Sequence, residues 1–135
     1  MQLSPLTGIA NAIDDWQNML GNDRVTYESD LLETAAIATF TTVQKILAIL
    51  KPNSTDEVQK CVKIANKYGV PLYPISKGFN WGLGSKVPVK SNCVLLDLGD
   101  MNRIVDYNEE MAYVRVEPGV SFQQLFDFLA AQNSN

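Results

Sequence analysis

Two short apolar runs, Ile46-Leu-Ala-Ile-Leu50 and Val70 to Ile75, bracket the segment "NSTDEVQKCVKIANKYG", and this arrangement constrains the fold more than any other part of the chain. Each run has the length and composition of a buried strand, and Lys51-Pro52 closes the first. Between them Ser54 and Glu57 have the S-x-x-E spacing of a capping box, in which each residue satisfies an otherwise unpaired N–H at a helix start. Val58, Cys61, Val62, Ala65 and Tyr68 follow at helical spacing, Gly69 ends the helix, and Pro71 forbids its continuation. The pattern predicts a βαβ unit, parallel and with a right-handed crossover.

The flanking sequence predicts further elements. Leu6, Ile9, Ala10, Ile13, Trp16 and Leu20 lie on one side of a helix over Pro5 to Leu20, which Gly21 stops. The weakly patterned stretch from Asn22 to Thr42 reads as an irregular connection. Cys93 to Leu98 reads as another buried strand. Arg103 to Tyr107 and Ala112 to Val116 form a half-exposed hairpin around the Asn108-Glu-Glu turn, with Tyr113, Arg115 and Glu117 alternating with Val114 and Val116. Pro118-Gly119 breaks the hairpin. Ser121 and Gln124 then make a second capping box, opening a helix with Phe122, Leu125, Phe126 and Leu129 facing inward. The expected fold is α+β: a mixed sheet with a βαβ unit and flanking helices. Residues 1–42 hold the first helix and the connection, and 43–135 hold the main domain.

Composition excludes several chemistries. A chain of 135 residues fits one domain with a single core. Its net charge of −4, with no Lys/Arg cluster longer than two, argues against a nucleic-acid partner, which requires a basic stripe. Histidine is absent and the two cysteines, Cys61 and Cys93, stand apart, so neither a zinc centre nor a Ser-His-Asp or Cys-His pair can be assembled. No metal ligand or catalytic residue is assigned. Both cysteines read as reduced core residues and Trp16 as core. Asp97 with Asp100, and Glu109 with Glu110, read as turn and solvent residues, and Arg103 and Arg115 as surface partners of nearby acids. No apolar run is long enough for a membrane span and the N-terminus lacks a signal-peptide layout, so the expectation is a soluble cytoplasmic protein.

The stretch "PISKGFNWGLGS", Pro74 to Ser85, places three of the eight glycines within seven residues, directly after a predicted strand. Gly78, Gly82 and Gly84 permit φ > 0 and keep side chains out of a ligand's path; Asn80, Ser76, Ser85 and Lys77 add donors and a positive charge. The loop is not a P-loop, because five residues rather than four separate Gly78 from Gly84 and Ser85-Lys86 follows in the wrong order. Nor is it the dinucleotide fingerprint, whose third glycine would fall on Val87, with Pro88 where the helix should run. Composition leaves two readings open: a surface loop turned by glycines, or a nest of N–H groups for an anion.

"PLYPISKGFNWGLGS", followed by "VLLDLGDMNRIVDYNEEMAYVRVEPGVSF", resembles the N-terminal FAD-binding subdomain (PCMH-type) of the vanillyl-alcohol oxidase and p-cresol methylhydroxylase family of flavoproteins. The likeness runs from about Val43 to Leu129 and joins the S-x-G-x-N-x-G-x-G loop, the "LDL…MN.I" strand and the "VEPGV" turn in the family's order. It implies the first half of a PCMH-type FAD-binding domain, with the loop wrapped around the FAD pyrophosphate and the Pro-Gly-Val turn along the nucleotide. The implied contacts are Ser76, Lys77, Gly78, Phe79, Asn80, Trp81, Gly82, Gly84 and Ser85 in the loop, and Pro118, Gly119 and Val120 in the turn. Phe79 stands where relatives often carry Lys or Arg. The histidine that holds the flavin covalently in some branches has no counterpart here. The resemblance also implies a truncated chain, ending before the family's second glycine-rich segment, its substrate domain and its catalytic residues. The expected role is to hold the ADP half of FAD for an FAD-dependent oxidoreductase of a phenolic or hydroxylated substrate, with FAD and the missing C-terminal part as partners. The alternative is a non-catalytic interaction module that has lost the flavin.

Overall fold

The computed structural model describes residues 5–38, 42–79 and 86–132. Helix α1 (Pro5–Leu20) leads through a 3-10 turn (Asn22–Arg24) into strand β1 (Val25–Thr26) and helix α2 (Ser29–Ala35). Strand β2 (Ile46–Leu50), helix α3 (Thr55–Tyr68) and strand β3 (Leu72–Ile75) form the predicted βαβ unit. Strand β4 (Cys93–Asp97), the hairpin of β5 (Ile104–Asn108) and β6 (Tyr113–Val116), and helix α4 (Phe122–Ala131) complete the order.

β1, β2, β4 and β3 make a mixed sheet in that order, with β1 antiparallel to β2 and the other three parallel. β4 is inserted between the two strands of the βαβ unit, so the α3 crossover spans it. This central position explains why Cys93, Val94, Leu95 and Leu96 are all buried, whereas the edge strand β3 has no fully buried residue.

Strand alternation divides the sheet into two faces. Ala48, Leu50, Val94 and Leu96 point toward α1 and α3, joining Ala12, Trp16, Leu20, Cys61 and Ala65 in one core. Trp16 is fully buried there, and its indole N–H donates to the Cys61 carbonyl at 3.2 Å. Ile49 and Leu95, which are register partners, and Ile75 face the other way.

Three local expectations need correction. The stretch after Gly21 is not simply irregular: it contains the 3-10 turn, β1 and α2. Arg24 anchors it by donating to the Leu20 carbonyl and through paired hydrogen bonds of 2.7 and 3.0 Å to Glu57. The same pair alters the α3 cap. Ser54 accepts from the Glu57 N–H as expected, but the Glu57 carboxylate turns to Arg24 and to the Asn53 N–H instead of closing the box on Ser54. In α4 the capping box of Ser121 and Gln124 is complete, yet Phe122 and Phe126 are 82% and 67% exposed. The stripe packed inward is Leu125, Phe128 and Leu129, with Phe128 edge-on to Tyr107 at 5.6 Å between ring centres.

The hairpin alternation also fails at its end. Glu117 is the buried charged residue of the described part, held by Arg103, whereas Val116 is 40% exposed. Both cysteines are buried and free. Among the described residues no helix is long and apolar enough to cross a membrane.

Candidate cofactor site

β3 and β4 run parallel, so their carboxyl ends lie side by side, and the segments that leave them, Ser76-Lys77-Gly78 and Leu98-Gly99-Asp100, become neighbours. The Leu98 N–H donates to the Ile75 carbonyl at 2.8 Å and fixes this adjacency. A cavity of about 280 Å³ opens at this end of the sheet, on the face turned away from α1 and α3. Ile49, Ile75 and Leu95 form its apolar floor, Ala35 of α2 lies at one side, and Ser76, Lys77, Gly78, Lys86, Asp97, Gly99 and Asp100 supply the polar lining. Crevices beyond the carboxyl ends of parallel strands are where open α/β sheets take their ligands.

Glycine meets a specific demand at three points. Gly78 has φ = 71°, the left-handed region that side chains disfavour. A methyl at Gly99 would lie 2.9 Å from Asp97 Oδ1 and in ordinary contact, 3.6 Å, with the Ser76 carbonyl oxygen, which sets the two segments side by side. A methyl at Gly119 would lie 2.8 Å from the Leu98 oxygen, and the Gly119 N–H donates to the Met101 carbonyl at 2.7 Å. The start of the glycine loop, the turn after β4 and the Pro-Gly-Val turn are therefore stacked in that order.

Glu117 braces the last of these. One carboxylate oxygen accepts from Arg103 Nη2 at 2.6 Å and Nε at 3.1 Å, the other from the Arg103 main-chain N–H at 2.8 Å. The Arg103 side chain and then its main-chain N–H hold the carboxyl below its ordinary range. The Val120 N–H donates to the Glu117 carbonyl, closing the turn.

Of the residues assigned from sequence, Ser76, Lys77 and Gly78 line the cavity, and Phe79 is 76% exposed. Gly119 is buried against the Gly99 turn, Val120 is half-buried and Pro118 is exposed. Asn80, Trp81, Gly82, Gly84 and Ser85 lie outside the described residues. Sequence reasoning missed Lys86, Gly99 and the cavity-facing role of Asp97 and Asp100. The available signal was that Gly99-Asp100 follows a central strand as Ser76-Lys77-Gly78 follows its parallel neighbour.

The lining suits the ADP half of FAD. Gly78 leaves room for a diphosphate to approach its main chain, and Lys77 and Lys86 bring positive charge. Asp97 and Asp100 are acceptors of the kind ribose hydroxyls require. The volume is near the lower end of the roughly 300–1,000 Å³ of ligand pockets, room for a nucleotide portion rather than for a complete flavin dinucleotide. Among the described residues no cluster of His, Cys, Asp and Glu could hold a metal ion.

Known proteins resemble the chain in sequence and in fold. The FAD binding domain family matches residues 46–134, and the chain belongs to that family, with FAD as its cofactor. The chain is similar to the 1'-carboxy-chondrochloren decarboxylase of Chondromyces crocatus, with 44% identity over 126 residues, covering 93% of this chain and 23% of the relative. It is 37% identical over 132 residues to the 4-cresol dehydrogenase [hydroxylating] flavoprotein subunit of Pseudomonas putida, covering 90% and 24%. The crystal structure of p-cresol methylhydroxylase with substrate bound superimposes with a TM-score of 0.89 at 34% identity, over 95% of this chain and 25% of that one. The chain thus spans about a quarter of the length of these relatives.

Proposed function

We propose that this chain is the part of an FAD-dependent oxidoreductase that cradles the ADP half of the cofactor, with a phenolic or hydroxylated compound as the substrate of the whole enzyme. The observation that carries the reading is the stacking of Ser76–Gly78, Leu98–Asp100 and Gly119 at the carboxyl end of the parallel strands, where Ser76–Gly78, Gly99 and Asp100 line a cavity with an apolar floor and two lysines. Bound there, FAD would supply the hydride-accepting isoalloxazine ring, a chemistry no side chain provides. The protein's own contribution is positional. The Gly78 main chain faces the diphosphate, Lys77 and Lys86 offset its charge, Asp97 and Asp100 accept from sugar hydroxyls, and Ile49, Ile75 and Leu95 exclude water beneath.

The site residues in the glycine loop and in Pro118, Gly119 and Val120 are assigned to the cofactor on the same argument. The phenolic substrate class rests on the relatives named for cresols. The similarity to a decarboxylase fits a module whose task is to hold the nucleotide, while the choice of reaction lies with residues outside it. The test is to add FAD to the purified chain and remove excess by gel filtration. Retained flavin absorbance supports the proposal, and a colourless protein with no change in flavin fluorescence up to millimolar protein overturns it.

A further inference from the structure

We propose that Lys86, outside the glycine-loop motif, is the cation that faces the cofactor diphosphate. The inference rests on the ADP-cradle reading and assigns a charge partner within it. Phe79, which follows Gly78 in the loop, is an exposed aromatic ring and brings no charge. An anion of about two charges next to Asp97 and Asp100 requires positive charge from elsewhere in the same cavity.

Two lysines line that cavity, Lys77 and Lys86. Among the described residues Arg24, Lys60, Lys67, Arg103 and Arg115 are engaged in ion pairs. Lys77 and Lys86 are not, although two carboxylates line the cavity with them. Asp97 is turned to the Gly99 N–H at 2.9 Å. The two ammonium groups are therefore available to a ligand.

Their stems differ. Lys77 is exposed, whereas Lys86 is half-buried, with its Cβ and Cδ lying 3.7 and 3.8 Å from where a Gly78 Cβ would stand. The Lys86 stem thus lies alongside Gly78, at the start of the glycine loop. A side chain already packed along its methylenes loses less rotamer freedom on gripping a ligand than a free one does.

The experiment is calorimetric titration of ADP into the full chain and into Lys86→Gln, Lys86→Arg and Lys90→Gln, at low and at physiological salt. The proposal expects Lys86→Gln to bind ADP about tenfold more weakly, the loss of one charge-assisted contact, and to show less salt dependence. Lys86→Arg should retain most of the affinity, and Lys90→Gln, whose exposed side chain does not line the cavity, should match the unsubstituted chain. All variants should melt at the same temperature. Unchanged ADP affinity in Lys86→Gln, or an equal loss in Lys86→Arg, overturns the assignment of Lys86 while leaving the cradle in place. Failure of the unsubstituted chain to bind ADP overturns the cradle, and this inference with it.

Discussion

Gly119 is pressed against Gly99 so closely that a methyl group at residue 119 would lie 2.8 Å from the Gly99 carbonyl carbon and from the Leu98 oxygen. These are main-chain atoms of the turn leaving the central strand, and they cannot swing aside as a side-chain tip does. Gly119→Ala must therefore displace the turn that lines the cavity, at a cost of about 1–3 kcal/mol in stability, typical of overpacking. Urea melts should show that loss together with weakened FAD binding. Gly69→Ala is the contrast. Gly69 has φ = 66° with nothing within 4 Å of an added Cβ, so about 1–2 kcal/mol should be lost through backbone strain alone while FAD binding stays unchanged.

Acid should unfold the protein through three carboxylates. Arg24 holds Glu57 below its ordinary range, Arg103 does the same to Glu117, and Lys67 followed by Tyr68 does so to Asp15. A carboxyl whose folded pKa lies below its unfolded value stabilises the fold fully above the unfolded value of about 4, and that stability is lost as pH falls through the folded value. The melting temperature should be flat from pH 8 to 6 and fall steeply below about pH 4. In Glu57→Gln the neutral-pH melting temperature should drop and the acid slope become shallower, as thermal scans across pH would show.

The division between what was legible in the sequence and what was not follows the range of the forces involved. The βαβ unit, α1 and the Ser121–Gln124 box were readable because period, caps and stop signals act within one turn or one strand. The inserted position of β4 was not, because strand order depends on which buried runs pair at a distance. The stretch after Gly21 failed for a similar reason: Arg24 gains its partner 33 positions away, and that pair also withdrew Glu57 from the predicted box. Phe122 and Phe126 looked inward by spacing, yet the half-buried stripe of α4 is Leu125, Phe128 and Leu129, with Phe128 set against Tyr107 of the hairpin. Of the cavity lining, Ser76, Lys77 and Gly78 fall in the stretch that glycine density had singled out, and Gly119, named from the resemblance, packs on the Gly99 turn beside it. Lys86, Gly99 and the two aspartates enter only through parallel strand neighbours.

Cys61 should behave as an inert thiol. It is fully buried in the core that α1 and α3 share with the sheet, and burial pushes its pKa up to about 12, so almost no thiolate exists at pH 8. Cys93 is 5% exposed. Ellman's reagent at pH 8 should therefore react with the native protein only at the rate at which it unfolds, and with both thiols at once in denaturant. A fast equivalent traced to Cys61 in the native state would contradict the packing of α3 on α1.

The most direct test of the cradle is an amide-resolved NMR titration of the nitrogen-15-labelled chain with FAD. The N–H signals of Gly78, Gly99 and Gly119 should move together and saturate with one affinity, while those of Ala12, Trp16 and Ala65, on the far side of the sheet, stay in place. Saturable shifts confined to the α1–α3 face, or no shifts at any of the three glycines, would contradict it.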